Sequence, residues 1–183
     1  MKQLFFPLLL LFVLQSSFAQ SDGPNEITSQ VLQKIKGDVE KLIPAYKKTL
    51  PKEDFTADQS EFSVDTFRIE QIVSKRMDID YSTVGMNMTI DEMTSSYDKL
   101  MNKYYNKLLK ILKPEEKKIL ITAQKAWIAY RDAELKLIGT MTKEEYSGGG
   151  SMQSNIATDS YSELIVKRTI EIFNFYDGII KDK

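Results

Sequence analysis

Along most of this chain, apolar residues recur at spacings of three and four with charged residues between them, which is the period of an amphipathic helix. From Glu26 to Tyr46 the apolar stripe runs Ile27, Val31, Ile35, Val39, Leu42, Ile43 and Tyr46. Gly37 weakens this helix and Pro44 is expected to bend or end it. Leu50–Phe62 is rich in acidic and turn residues and reads as a loop. Ser63–Ile79 then resumes the helical rhythm with Phe67, Ile72 and Val73, although Ile69, Tyr81 and Val84 would also suit a short strand. Tyr81–Met88 has no clear period. Thr89-Ile90-Asp91-Glu92 has the form of a capping box. It is expected to open a helix reaching about Leu112, with Tyr97, Leu100, Met101, Tyr104 and Leu108 on one side.

The stretch expected to organise the fold is Ile121–Glu134, which holds the one tryptophan, Trp127. Ala123, Ala126, Trp127 and Tyr130 lie at helical spacing and predict a buried seam. The surrounding helix should run from Pro114, a residue suited to a first turn, to about Ile138, with Gly139 helping to close it. Its short link to the preceding helix predicts an antiparallel hairpin. Thr142–Glu145 suggests another capped turn, and Ser147–Met152, with three consecutive glycines, breaks helix. A last helix should run from about Gln153 to near Asp177-Gly178. The expected fold is all-α, a compact antiparallel bundle of four or five helices.

Residues 1–20 combine a lysine, an apolar run from Leu4 to Leu14 and small residues around Ala19. This is the layout of a secretory signal peptide covering residues 1–19, with an apolar run too short to anchor in a membrane. Residues 20–183 are then expected to form a single helical domain that is periplasmic or secreted, with no membrane span in the mature protein. The chain has neither cysteine nor histidine. Disulfides, a lipid anchor on cysteine, thiol nucleophiles and the commonest metal ligand and near-neutral base are all excluded. No metal and no cofactor is expected. A formal net charge of −1 lacks the basic excess of a nucleic-acid binder.

The glycine run followed by Ser151 resembles a phosphate loop only superficially, because the required lysine and preceding strand are missing. Asp98, Asp132, Glu134 and Glu171 are the acids to weigh for a carboxylate-only glycan hydrolase, and no spacing singles out an acid and a base. Asn102, Tyr105, Gln124, Arg131 and Arg168 fall on three predicted helices. Packing could join them in a buried polar network or leave them as an exposed recognition patch.

Those residues also carry a family resemblance. Asp98, Met101-Asn102, Tyr105 and Leu108 form a first block; Ala123-Gln124, Trp127, Tyr130-Arg131-Asp132 and Glu134 form a second. Gly149-Gly150-Ser151 followed by Arg168 and Ile172 forms a third, and Met86-Asn87 fits the lead-in. In this order and spacing the chain resembles the secreted bacterial LprI family, named after a mycobacterial lysozyme-inhibitor lipoprotein, over about residues 86–176. Family members usually carry cysteines where this chain has Thr89, Leu135 and Ser160, and a threonine where it has Ile165. The segment at about 26–80 is then an N-terminal helical extension to the family-like core. The resemblance implies a helical binding protein and not an enzyme, with no catalytic residue assigned. Its expected partner is a lysozyme or another cell-envelope protein, and its expected action is occlusion of the lysozyme cleft. Glu144 and Glu145, beside Gly149, Gly150 and Ser151, are the expected loop contacts, with Trp127 supporting from the core. The alternatives are an envelope structural protein or a binder of a small apolar ligand, in a pocket formed by Tyr104, Trp127 and Tyr130, and the glycan hydrolase.

Overall fold

The computed structural model describes residues 24–51 and 55–181, and the expected signal peptide lies outside them. Six helices and no strand are found among the described residues: α1 Ser29–Thr49, α2 Ala57–Met77, α3 Thr83–Ile111, α4 Pro114–Met141, α5 Glu144–Ser147 and α6 Met152–Lys181. Five are long and α5 is a single turn, in keeping with the expected all-α bundle. None of these helices is long and apolar enough to cross a membrane.

Short links reverse the chain at each step, so long helices adjacent in sequence run antiparallel. Along α2 and α3, Tyr104 Oη donates to the Asp58 carbonyl (3.1 Å), Tyr97 Oη to Glu70 (3.0 Å) and Arg76 Nε to Thr89 Oγ1 (3.1 Å). Two reversals later, α6 lies parallel to α3 and makes the most extensive contact in the molecule. Asn155 Nδ2 donates to Asn87 (2.9 Å), and Thr169 Oγ1 donates to the Tyr97 carbonyl (3.1 Å). Further along both helices, the Tyr104 ring meets Phe173 edge-on, with centroids 4.9 Å apart. Phe62 of α2 stacks on Phe173 at 3.8 Å. Tyr97, Leu100, Met101, Tyr104 and Leu108 thus face Ile165, Ile172, Phe173 and Tyr176 across one core. The first helix packs chiefly on α2 through buried Ile35, Val39 and Ile43.

The structure departs from the sequence expectations where local chemistry competes with periodicity. Pro44 does not end α1; it is exposed, so the carbonyl left without a helical donor can be hydrated. The second helix begins at Ala57 rather than Ser63, because Thr56 and Gln59 form a reciprocal capping box. The third begins at Thr83, capped by Ser82, whose Oγ accepts from the Gly85 amide at 3.0 Å. The expected box at Thr89 and Glu92 is therefore mid-helix, and both side chains bind Arg76. Gly139 lies inside α4, and α6 runs past Gly178 to Lys181.

The largest correction concerns α4. Leu120 is its one buried residue. Ala123, Ala126 and Tyr130 are exposed, and Trp127 is half-buried, so the expected buried seam does not exist. Periodicity shows that a helix has an apolar side; it does not say what covers it.

Two glycines should respond oppositely to alanine. Nothing lies within 4 Å of a Cβ built at Gly37, whereas one at Gly85 overlaps the Asp80 carboxylate. Asp80 Oδ1 in turn accepts from Ser82 Oγ (2.6 Å), the cap of α3. Gly37→Ala should therefore raise the unfolding free energy by about 0.5–1 kcal/mol. Gly85→Ala should lower it by about 1 kcal/mol by displacing the cap support. Urea unfolding of both variants checks the pair.

Candidate functional site

The second sequence block does form a cluster, but at the flank of the core. Successive turns of α4 bring Gln124, Trp127 and Arg131 to one side of that helix. Arg168, nearly buried on α6, donates from Nε to Gln124 Oε1 (3.0 Å) and from Nη1 to Glu171 (3.2 Å). Its guanidinium carbon lies 5.7 Å from the Trp127 ring centroid, and that of Arg131 lies 5.5 Å from it. Arg131 also donates twice to Asp132 Oδ1, at 2.9 and 2.7 Å. Gln124 Nε2 reaches Met101 Sδ of α3 at 3.8 Å. An indole with two cations beside it and a glutamine bonded to one of them fixes α4 against α6. These contacts form a bracket that joins α4 to α6 and leaves Tyr130 and Asp132 exposed.

Other candidates stand apart from it. Asn102 Nδ2 donates to Asp98 Oδ2 (3.1 Å) one turn away on the same helix, and Tyr105 packs, half-buried, against the core. The acids weighed for hydrolysis include three that their own helices engage: Asp98 by Asn102, Asp132 by Arg131 and Glu171 by Arg168. Tyr104 is wholly buried in the core while Tyr130 is exposed, so those two do not line a common pocket with Trp127. No cluster of acids able to hold a metal is found among the described residues.

The turn between α4 and α6 is held in a definite shape. Gly148, Gly149 and Gly150 all have positive φ, at 79°, 79° and 96°, where only glycine sits without strain. The Gly148 amide donates to the Glu144 carbonyl (2.9 Å), and the Gly149 amide to Ser147 Oγ (3.1 Å). A Cβ at Gly149 would stand 3.1 Å from Glu144 Cγ, so the glutamate stem folds across the glycine. Glu144 and Glu145 are exposed, Ser151 is exposed beside them, and neither glutamate forms a salt bridge among the described residues.

Sequence reasoning missed a charged belt between α2 and α3. Lys107 binds both Asp58 and Glu61 (2.7 Å to Glu61), and Lys103 binds Glu61 (3.1 Å) and Asp65 (2.5 Å). Asp58 also accepts from Tyr176 Oη at 2.8 Å, joining α6 to the belt. The signal was Thr56-x-x-Gln59: once α2 starts there, Asp58, Glu61 and Asp65 fall on one face. Burial opposes the charge of Asp58, but hydrogen bonds from Lys107 and Tyr176 outweigh it and hold the carboxyl below the ordinary aspartate value. A hydrogen bond from Lys107, against some burial, does the same for Glu61.

Beside the belt, α1, α2 and α3 enclose a groove of about 310 Å³. Ile69, Ile72, Val73, Met93 and Leu100 give it apolar walls, and Lys36, Arg68 and Lys103 are among the cations at its rim.

A depressed carboxyl pKa stabilises the fold above the unfolded value, and that contribution disappears as pH falls through the folded value. The belt should therefore keep its full effect above about pH 5 and lose it progressively below about pH 4. Asp58→Asn should cost about 1 kcal/mol at neutral pH, the low end for charge-assisted bonds because the group is partly exposed. It should also flatten the acid limb of a stability–pH profile, measured by urea unfolding from pH 3 to 7. An acid limb as steep as the parent's would show that Asp58 does not carry it.

Comparison with known proteins bears on the same region. The family model described as "Lysozyme inhibitor LprI" matches residues 74–172. A protein of Rhizobium meliloti (strain 1021) described as "Uncharacterized protein R02472" is 28% identical over 104 residues, covering 50% of this chain and 71% of that one. No solved structure matches the chain. The family match takes in all of α3, α4 and α5 and most of α6, just over half the chain, including the bracket and the glycine turn. The chain belongs to the lysozyme inhibitor LprI family.

Proposed function

We propose that this protein is a secreted or periplasmic binding protein that inhibits lysozyme by covering its cleft, with Glu144 and Glu145 on the α4–α6 turn as the leading contacts. The observation that carries this reading is the contrast between those two adjacent acids on a shaped turn and the acids of the interhelical contacts. Asp58, Glu61, Asp65 and Glu92 are neutralised by lysines or arginines inside the fold. Glu144 and Glu145 project from a turn held by the Gly148 amide on the Glu144 carbonyl and the Gly149 amide on Ser147 Oγ, with their charges exposed to a cationic enzyme. A preformed turn reduces the ordering cost of association, and unpaired acids at an exposed tip speed encounter with a positive surface. The bracket around Trp127 supports this role by fixing α4, which carries the turn. Secretion rests on the leader at residues 1–19, and the partner rests on family membership.

Inhibition of a panel of lysozymes by the purified protein, at low and at physiological salt, tests the proposal. Near-stoichiometric inhibition that weakens with salt is expected. The double variant Glu144→Lys/Glu145→Lys should lose about tenfold or more in affinity, mainly through slower association. Absence of inhibition across the panel would overturn the reading, and full activity of the double variant would move the contact elsewhere.

The groove supports a second reading, a carrier of a small apolar ligand, at a place other than the expected tyrosine–tryptophan pocket. Its size lies at the lower end for ligand sites. On this reading the protein should enhance the fluorescence of an apolar probe such as N-phenyl-1-naphthylamine. Ile72→Trp, which fills the groove, should abolish that enhancement while circular dichroism stays unchanged. Equal enhancement by the filled variant would sink it.

A further inference from the structure

The outward side of α4 has an order that neither the core nor the turn explains. Ile119, Ala123, Ala126, Tyr130, Ala133 and Leu137 are all exposed, with Ile119 at 69%, Tyr130 at 51% and Leu137 at 52%. Their spacing is four, three, four, three, four, which is the apolar alternation of a coiled-coil seam sustained for nearly three heptads. It lies about a third of a turn around the helix from the side that holds Gln124, Trp127 and Arg131, at about 100° per residue. The bracket to α6 and this seam therefore do not compete for the same face.

The seam reads the same from either end. Placed antiparallel about a two-fold axis at Ile128, it sets Ile119 opposite Leu137 of a second copy, Ala123 opposite Ala133, and Ala126 opposite Tyr130. Each pair occurs twice, as an isologous contact requires. The alanine layers let the helices approach closely, and each tyrosine ring meets a small residue that leaves it room. The acids that flank the seam do not meet their own copies: Glu116 lies opposite Thr140 and Glu134 opposite Thr122. A parallel, in-register pair would instead set Glu116 against Glu116 and Tyr130 against Tyr130. The residue pairing favours a second copy of this chain: each large side chain of the seam meets a partner that suits it, Tyr130 against Ala126 and Ile119 against Leu137.

We infer that the protein forms a two-fold dimer through an antiparallel pair of α4 helices, with Tyr130 as its central anchor. The pairing leaves Glu144 and Glu145, beyond the end of α4, at opposite ends of the dimer. The inference stands on the α4 seam alone and does not depend on lysozyme inhibition.

Sedimentation velocity of the purified protein from about 1 to 100 µM should show a monomer–dimer equilibrium with a micromolar dissociation constant. Tyr130→Glu should weaken it about thirtyfold or more. The residue is exposed and outside the core, so circular dichroism should remain that of the parent. Because the chain has no cysteine, orientation can be read from single introduced thiols. A mixture of Ala123→Cys and Ala133→Cys proteins should give a disulfide-linked heterodimer under mild oxidation, and Ala123→Cys alone should not. A parent protein that stays monomeric throughout the range, or a dimer unaffected by Tyr130→Glu, would overturn the inference. Cross-linking by Ala123→Cys alone as efficient as that of the mixture would establish the parallel register and overturn it equally.

Discussion

The parallel contact of α3 with α6 is the constraint from which the other positions follow. Tyr104, in no contact with solvent, receives the edges and faces of Phe62, Phe173 and Tyr176. Thr169, equally buried, ties the two helices by its hydroxyl to the Tyr97 carbonyl. Two helices joined by short links cannot run parallel unless a third brings the chain back between them. That return helix is α4, and its 28 residues match the 29 of α3 and 30 of α6 because it must span the same distance. Its length is thus set by the core it serves, although only one of its residues enters that core fully.

This accounts for the unusual chemistry of α4. A helix that needs only attachment can be held by a few directional contacts, here Gln124 to Arg168 and two guanidiniums beside Trp127. The polar character of the attachment leaves the apolar flanks uncovered. The end of the same helix carries the glycine turn, whose three left-handed residues complete the reversal into α6. Attachment, seam and turn are separate faces of one element, and each limits what the others can do.

Charge is distributed by the same logic. On α2 and α3 acids and lysines interlock, fixing the register of two helices whose apolar contacts alone would tolerate sliding. Ion pairs of this exposure add little each, but Asp58 joins three helices through Lys107, Tyr176 and the Tyr104 hydroxyl bonded to its carbonyl. Acids at the α5 turn are left out of this interlock.

Much of the local structure was legible along the chain. The 3.6-residue rhythm declares helices wherever it persists, Pro114 marks the start of α4, and three glycines mark the reversal before α6. The spaced blocks around Asn102, Trp127 and Arg168 declare the family. Helix starts were misplaced where a polar residue six or more positions upstream of the apolar rhythm supplied the cap, as Thr56 and Ser82 do. The burial of α4 was misjudged for a different reason. Its apolar residues occupy so wide an arc that periodicity cannot choose a buried face, and a single tryptophan marks a landmark without saying whether it is inside. That choice was made by Arg168, 44 residues from the Gln124 it binds, and by the α3–α6 contact that decides where α4 must lie. The sequence by itself determined the helices, their reversals and the family; only the tertiary structure decided which faces meet, because that depends on contacts between segments that no local spacing encodes.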